Sequence, residues 1–261
     1  MRAVIIRRHG GPEVLEEAEL PDPKPGASEV LVRIRATALN HLDIWVRNGI
    51  PTIPVELPHI LGSDIAGVVE EVGAEVPPGI EPGMEVIVQP GVSCMRCEAC
   101  LSGRDNACPS YQILGEHRPG GYAERIVVPH HNVVPKPARL TFEEAAAAPL
   151  VLLTAWEMLV RRAQVQPGET VLVHAAGSGV GSAGVQIAKL LGARVIATAG
   201  SDAKLEKARE LGADHAIDYE TTDWVAEVKR LTGRAGVEVV FDHVGKKTWD
   251  GSLRCLRSGG R

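Results

Sequence analysis

Thr170-Val171-Leu172-Val173-His174-Ala175-Ala176-Gly177-Ser178-Gly179-Val180-Gly181-Ser182-Ala183-Gly184 is the stretch on which the fold turns. It opens with an unbroken apolar run, which predicts a strand buried on both faces. From Val180 to Leu191 apolar residues recur at helical spacing. Between them lies a glycine-rich turn. A strand feeding such a turn into a helix lets the backbone approach a pyrophosphate closely, and the helix N-terminus supplies free N–H groups and a positive dipole end. The competing possibility is a tight strand-to-helix turn with no ligand.

Downstream, the pattern repeats. Arg194–Thr198, His215–Ile217 and Val237–Phe241 are predicted strands, separated by predicted helices Ala203–Leu211 and Trp224–Leu231. Apolar strands alternating with amphipathic helices imply a doubly wound parallel sheet. At the end of the second strand, an acidic side chain would grip the ribose 2′-hydroxyl of NAD. Here Ala197-Thr198-Ala199-Gly200-Ser201-Asp202-Ala203-Lys204 is small and neutral there, with Ser201 and Lys204 just beyond. This suits a 2′-phosphate and favours NADP(H) over NAD(H), although Asp202 argues the other way.

Upstream, the composition changes. All 18 prolines lie between Pro12 and Pro167. Short runs at Val30–Ile34, Val68–Val72, Glu85–Val88 and Ile126–Val128 are bounded by Pro or Gly, which predicts a mostly antiparallel β domain. Thr141–Arg162 is expected to bridge the halves as helix. The predicted domains are therefore 1–140 and 141–261.

The chain has 261 residues, 28 Lys+Arg and 33 Asp+Glu, for a net charge of −5. A mildly acidic chain with scattered Arg lacks the basic face that nucleic acid requires. No apolar run reaches the roughly 18 residues of a membrane span. Of the five cysteines, four fall within fifteen residues: Cys94-x2-Cys97-x2-Cys100-x7-Cys108. Such a cluster points to metal binding in a reducing compartment, hence a cytoplasmic protein. Four sulfur ligands describe a closed, structural zinc site in a lobe of about 91–110. An iron–sulfur cluster is the alternative, but its final spacing is usually three residues rather than seven. Cys255 is expected to be a buried core residue.

Taken together, the Cys94–Cys108 lobe, Ala175–Gly181, Leu61-Gly62-Ser63-Asp64-Ile65-Ala66-Gly67, Pro149–Trp156 and Gly251–Arg261 resemble the medium-chain dehydrogenase/reductase superfamily. That superfamily includes zinc alcohol dehydrogenases and quinone oxidoreductases. The resemblance implies an α/β protein with an N-terminal GroES-like catalytic domain and a Rossmann cofactor domain. It also implies a C-terminally truncated chain, because relatives go on to a fifth and sixth strand and would otherwise leave a bare sheet edge.

Relatives with a catalytic zinc hold it by a Cys, a His of a Gly-His-Glu motif, and a second Cys. Those positions align with Asn40, Ser63 and, most nearly, Leu150. Ala38-Leu39-Asn40-His41-Leu42-Asp43 and Leu61–Asp64 are similar to the quinone oxidoreductase branch, which lacks that metal. His41, His59 and Asp64 form an alternative metal-ligand set by chemistry alone. Without a Lewis acid, the substrate needs intrinsic activation, as in a quinone or enone, and Asn40 and His41 could stabilise an oxyanion or deliver a proton.

By the same resemblance, Asn40, Asp43 and Asp64 line the substrate cleft. Thr154 meets the cofactor near its nicotinamide end, and Gly179, Val180 and Gly181 approach the pyrophosphate. Ser201, Lys204 and Tyr219 surround the adenosine 2′-phosphate, while Val244 and Gly245 border the nicotinamide ribose. The functions implied are reduction of an activated carbonyl with NADP(H), alcohol dehydrogenation with NAD(P), or a catalytically idle NADPH-binding sensor. A homodimer or homotetramer acting on a small-molecule carbonyl or alcohol is expected.

Overall fold

The computed structural model describes residues 1–261, which fold as two compact units, Met1–Leu150 and Val151–Arg261. The first is built on a five-stranded antiparallel sheet. Its order across the sheet is Val133–Pro135, Glu85–Val88, Asp64–Val72, Glu29–Ala38 and Arg125–Pro129. A three-stranded sheet (Glu16–Glu19, Arg2–Ile6, His59–Ile60) and a two-stranded ribbon of Gly91–Val92 with Gln112–Ile113 complete it. The core is β-branched: Val30, Val32, Ile65, Val69, Val86, Val88, Ile126 and Val128 are all buried in one cluster. Gly67 is required in the central strand, because a Cβ there would lie 2.2 Å from the Arg33 carbonyl oxygen of the neighbouring strand.

All four predicted upstream runs fall inside strands of this sheet. The strand Asp64–Val72 begins four residues earlier than its apolar run suggests, since Ala36–Ala38 pairs with Asp64–Ala66 beyond a register shift. The first unit also extends to Leu150 rather than 140. The helix Phe142–Ala146 belongs to it, because Ala145 and Ala146 bury themselves against Ala66 of the sheet, with Ala36 and Ile87 alongside.

In the second unit, four parallel strands lie in the order His215–Asp218, Arg194–Ala199, Thr170–Val173, Val239–Phe241. Helices Gly179–Leu190, Asp202–Glu210, Trp224–Leu231 and Trp249–Cys255 accompany them. The sheet is buried on both faces. Val171, Val173, Val195, Ala197, Val239 and Phe241 enter one apolar cluster, while Leu172, Ile196 and Ile217 enter another with Val225, Val228 and Cys255. Successive residues serve opposite faces, so these strands read as continuous apolar runs. Cys255 is fully buried, as expected of a packing residue.

The fourth strand is shorter than predicted. Val237 instead pairs with Leu256 in an isolated parallel bridge, and Gly236 turns the chain just before it at φ +88°. Along the outer side of this strand, Arg261 donates its N–H to the Glu238 carbonyl and accepts from the Val240 N–H at 2.9 Å each. No helix is long and apolar enough to cross a membrane.

Phe241 is among the largest side chains to be fully buried in the sheet. Phe241→Ala should lower unfolding stability by about 3–5 kcal/mol. Urea titration measures this, and a loss below about 1 kcal/mol would contradict the assigned packing.

Candidate functional site

Three groups of side chains with chemical potential are assembled, each within one unit. In the first unit, the helix His41–Asn48 begins at Asn40 and displays Asn40, His41, Asp43, Ile44 and Arg47 along a cavity of about 270 Å³. Leu61 and Tyr122 close it from other segments. Asp43 is buried and accepts three hydrogen bonds: from the Asn40 N–H at 2.7 Å, the Gly62 N–H at 3.2 Å and the Tyr122 hydroxyl at 2.8 Å. Burial still outweighs these donors and raises the Asp43 carboxyl above the ordinary range. The Tyr122 hydroxyl is pushed strongly upward, by burial and then by the Asp43 charge, so it stays a donor.

Asp64 lies behind Asn40 rather than in the cavity wall. It is 1% exposed, accepts from Asn40 Nδ2 at 2.9 Å and from the Leu150 N–H at 2.8 Å, and burial lifts its carboxyl to about 6. Ser63, where zinc-dependent relatives carry His, is completely buried and donates its hydroxyl to the Leu114 carbonyl at 2.7 Å. His59 is buried with Nε2 unpartnered, and burial lowers its pKa. His41, His59 and Asp64 do not converge as a ligand set.

Only the four cysteines converge: the ligand atoms of Cys94, Cys97, Cys100 and Cys108 all lie within 4.8 Å of one another. Sγ of Cys97 and Cys100 are 3.4 Å apart, and those of Cys94 and Cys100 3.9 Å. Backbone N–H groups of Arg96, then Cys97, hold the Cys94 thiol down at about 6, so the loop favours thiolate there. Four soft donors gathered around one point, with every cysteine free of disulfides, fit what a tetrahedral zinc requires.

The third group surrounds the glycine turn. A Cβ at Gly181 would lie 2.2 Å from the Ala175 carbonyl oxygen, and one at Gly177 would lie 2.7 Å from the Lys204 side chain. Gly179 packs against Val151, three residues before Thr154 on the same helix. Ser178 caps the helix by accepting from the Gly181 N–H at 3.0 Å. Its own proton goes to the Ala175 carbonyl, so the contact with His243 Nε2 at 3.0 Å is a donation by the imidazole. His243 Nδ1 is then a buried acceptor with no partner, and a ribose hydroxyl is a donor of the kind it lacks. The cradle thus fits a dinucleotide.

Nearby, a cavity of about 390 Å³ is walled by His174, Thr198, Tyr219, Trp224, Val244 and Lys247, among others. Tyr219 lies over Gly200, where a Cβ would be 2.7 Å from its hydroxyl. Ser201 occupies the N-cap of the next helix without making a side-chain capping bond. Gly245 takes a left-handed conformation at φ +84°.

The structure therefore gathers Asn40, His41 and Asp43 around one cavity, and Tyr219 and Val244 around the other. Lys204 joins the glycine turn. Sequence reasoning missed Tyr122, His174, Thr198, Trp224 and Lys247. Tyr122 stands 79 residues from its partner Asp43, and no local spacing announces such a pair.

Residues 26–138 match the Alcohol dehydrogenase GroES-like domain, and residues 179–261 the Zinc-binding dehydrogenase family. A crystal structure of an NAD-dependent alcohol dehydrogenase is 58% identical at a TM-score of 0.95, covering 100% of this chain and 76% of that one. The NAD-dependent alcohol dehydrogenase of Sulfurisphaera tokodaii is 37% identical over 250 residues, 93% of this chain and 71% of the relative. Escherichia coli quinone oxidoreductase complexed with NADPH is 33% identical at a TM-score of 0.82, covering 98% of this chain and 70% of that one. The chain belongs to the medium-chain dehydrogenase/reductase superfamily. It is an NAD(P)-dependent oxidoreductase.

Asp64 generates a pH prediction. Its folded pKa of about 6 lies above the ordinary 3.8, so the native state binds more protons than the unfolded chain between these values. Its contribution must lower stability as pH rises from about 4 to about 6. Urea titrations across that window should show this fall in the native protein relative to Asp64→Asn, and parallel curves would refute it.

Proposed function

We propose that the protein reduces an activated carbonyl, a quinone or enone, with NADP(H), and carries one structural zinc on Cys94, Cys97, Cys100 and Cys108. One observation carries the choice of substrate class. The three positions that bind catalytic zinc in relatives hold Asn40, Ser63 and Leu150 here, a set without a metal-ligating side chain. The polar two are also engaged elsewhere: the Ser63 hydroxyl on the Leu114 carbonyl and the Asn40 amide on Asp64. Negative charge developing on substrate oxygen is then best met by conjugation in the substrate together with protein donors.

A reduced nicotinamide dinucleotide supplies the hydride when bound. Asn40 offers its second amide N–H to the developing oxyanion. His41 stands exposed at the same cavity and can deliver a proton. Asp64 holds the Asn40 amide from behind, while Asp43 ties the start of the helix to Tyr122 and Gly62. In the second unit, Gly179, Val180 and Gly181 cradle the pyrophosphate and Thr154 meets the nicotinamide end. Val244 and Gly245 border the nicotinamide ribose. Ser201, Lys204 and Tyr219 take the 2′-phosphate, a role supported by the uncommitted Ser201 hydroxyl and by the Lys204 stem lying across Gly177.

Zinc bound by four thiolates has no open position, so its part is to brace the lobe. A cytoplasmic homodimer or homotetramer fits the free thiols and the family likeness. A second reading, NAD-dependent alcohol dehydrogenation, is favoured by the name of the 58% identical structure.

Consumption of NADPH and NADH against a quinone, an enone and an alcohol–aldehyde pair decides between them, with zinc measured on the same sample. The expected result is preferential NADPH oxidation by quinone or enone at one zinc per chain. Steady alcohol oxidation with NAD, or loss of activity to a chelator while the fold persists, supports the second reading. Lys204→Ala should raise KM for NADPH about tenfold and leave that for NADH nearly unchanged. Equal effects on both would remove Lys204 from the phosphate site.

A further inference from the structure

The 390 Å³ cavity at the C-terminal ends of the parallel strands rests on a chain of side chains whose protons can be placed. Ser252 Oγ donates to Asp242 Oδ2 at 2.7 Å. Its one proton is thereby spent, so its contact with His174 Nε2 at 3.1 Å requires the imidazole to donate. His174 therefore carries its proton on Nε2, and Nδ1 accepts from Thr198 Oγ1 at 3.0 Å. On the other carboxylate oxygen, Asp242 receives Thr248 Oγ1 at 2.8 Å and the N–H groups of Val244 and Gly245 at 2.9 and 3.0 Å.

Every proton in the series Thr198, His174, Ser252 points toward Asp242. His174, Thr198 and Ser252 are buried, and Trp224 packs edge-on against the imidazole with centroids 4.7 Å apart. His174, Thr198, Trp224, Val244 and Thr248 all line the cavity. The chain thus fastens the ends of the first and second strands to the loop after the fourth, by bonds that fix side-chain orientation as well as backbone position.

We propose that His174, Thr198 and Ser252 are positioning residues for the adenosine end of the dinucleotide. They touch no reacting atom and act by holding Thr198, Trp224 and Thr248 in the cavity wall at the spacing that the adenosine moiety requires. The inference rests on the dinucleotide reading above. It assigns the cavity to adenosine because the end of the second strand, where Thr198 and Tyr219 both line the cavity, is where a doubly wound sheet holds the adenosine ribose.

The test separates the two ends of the cofactor. His174→Phe keeps a ring against Trp224 and removes both hydrogen bonds. In the full chain it should weaken binding of 5′-ADP about tenfold, while turnover with reduced nicotinamide mononucleotide, which lacks adenosine, stays within twofold. Thr198→Val, nearly isosteric, should weaken 5′-ADP binding three- to tenfold and serves alone if His174→Phe fails to fold by circular dichroism. A folded variant that binds 5′-ADP within twofold of the native protein overturns the proposal. So does an equal loss with the mononucleotide, which would mark the chain as general structural support. If the native protein binds neither 5′-ADP nor the whole dinucleotide, the dinucleotide reading itself has failed and the positioning role falls with it.

Discussion

The contact at Gly181 governs the second unit. No side chain fits between that residue and the Ala175 carbonyl, so the chain leaving the first strand turns sharply and enters its helix at Gly179. The turn brings Ser178 to the helix N-cap, where it accepts from Gly181 and shares a hydrogen bond with His243 from beyond the fourth strand. One close approach therefore sets the helix start, the free N–H groups at its tip and the link between two strand ends. Widening it by a single methyl group would disturb all three, because backbone rather than a flexible side chain occupies the space.

In the first unit the corresponding anchor is Asp43, which joins the start of its helix to Gly62 and to the Tyr122 ring. The Gly62 segment is also held by Gly115 and Gly120, since a Cβ at either would strike Gly62 backbone at 2.7 or 2.2 Å. Ser63, the next residue, is completely buried and tied to the Leu114 carbonyl. A longer ligand such as His would need that packing rearranged, which is a physical reason to read the Gly62-Ser63-Asp64 segment as scaffold for Asn40.

Much of this was legible in the chain before any coordinates. Strands buried on both faces announce themselves by unbroken apolar runs, so the parallel sheet and its helices could be located nearly to the residue. The cysteine spacing likewise foretold a convergent donor set, because a short loop limits where four sulfurs can go. What stayed hidden depends on long-range pairing. Val237 has strand character by composition, yet it pairs with Leu256 because Gly236 redirects the chain. Ala145 and Ala146 look like part of a bridge but find their partner Ala66 far upstream. Tyr122 and His174 acquire their roles only from partners that local spacing cannot identify.

Two carboxylates show how the surroundings divide the labour. Asp242 and Asp64 both lose solvent, and burial alone would raise both. Asp242 collects two backbone N–H groups and two hydroxyls, and these donors outweigh burial and hold it at about 2. Asp64 is more deeply buried and receives only the Asn40 amide and the Leu150 N–H, so burial wins and it rests at about 6. Near neutral pH the first is a firmly ionised anchor whose stabilisation is lost only as pH falls below about 4 toward 2. The second is a carboxylate held at a cost, close to the pH at which it would take up a proton. A group so poised can change its hydrogen bonding to Asn40 with modest changes in pH, whereas Asp242 cannot. The fold places the firmly ionised carboxylate just past the C-terminal end of the fourth parallel strand and the one with the raised pKa behind the Asn40 amide.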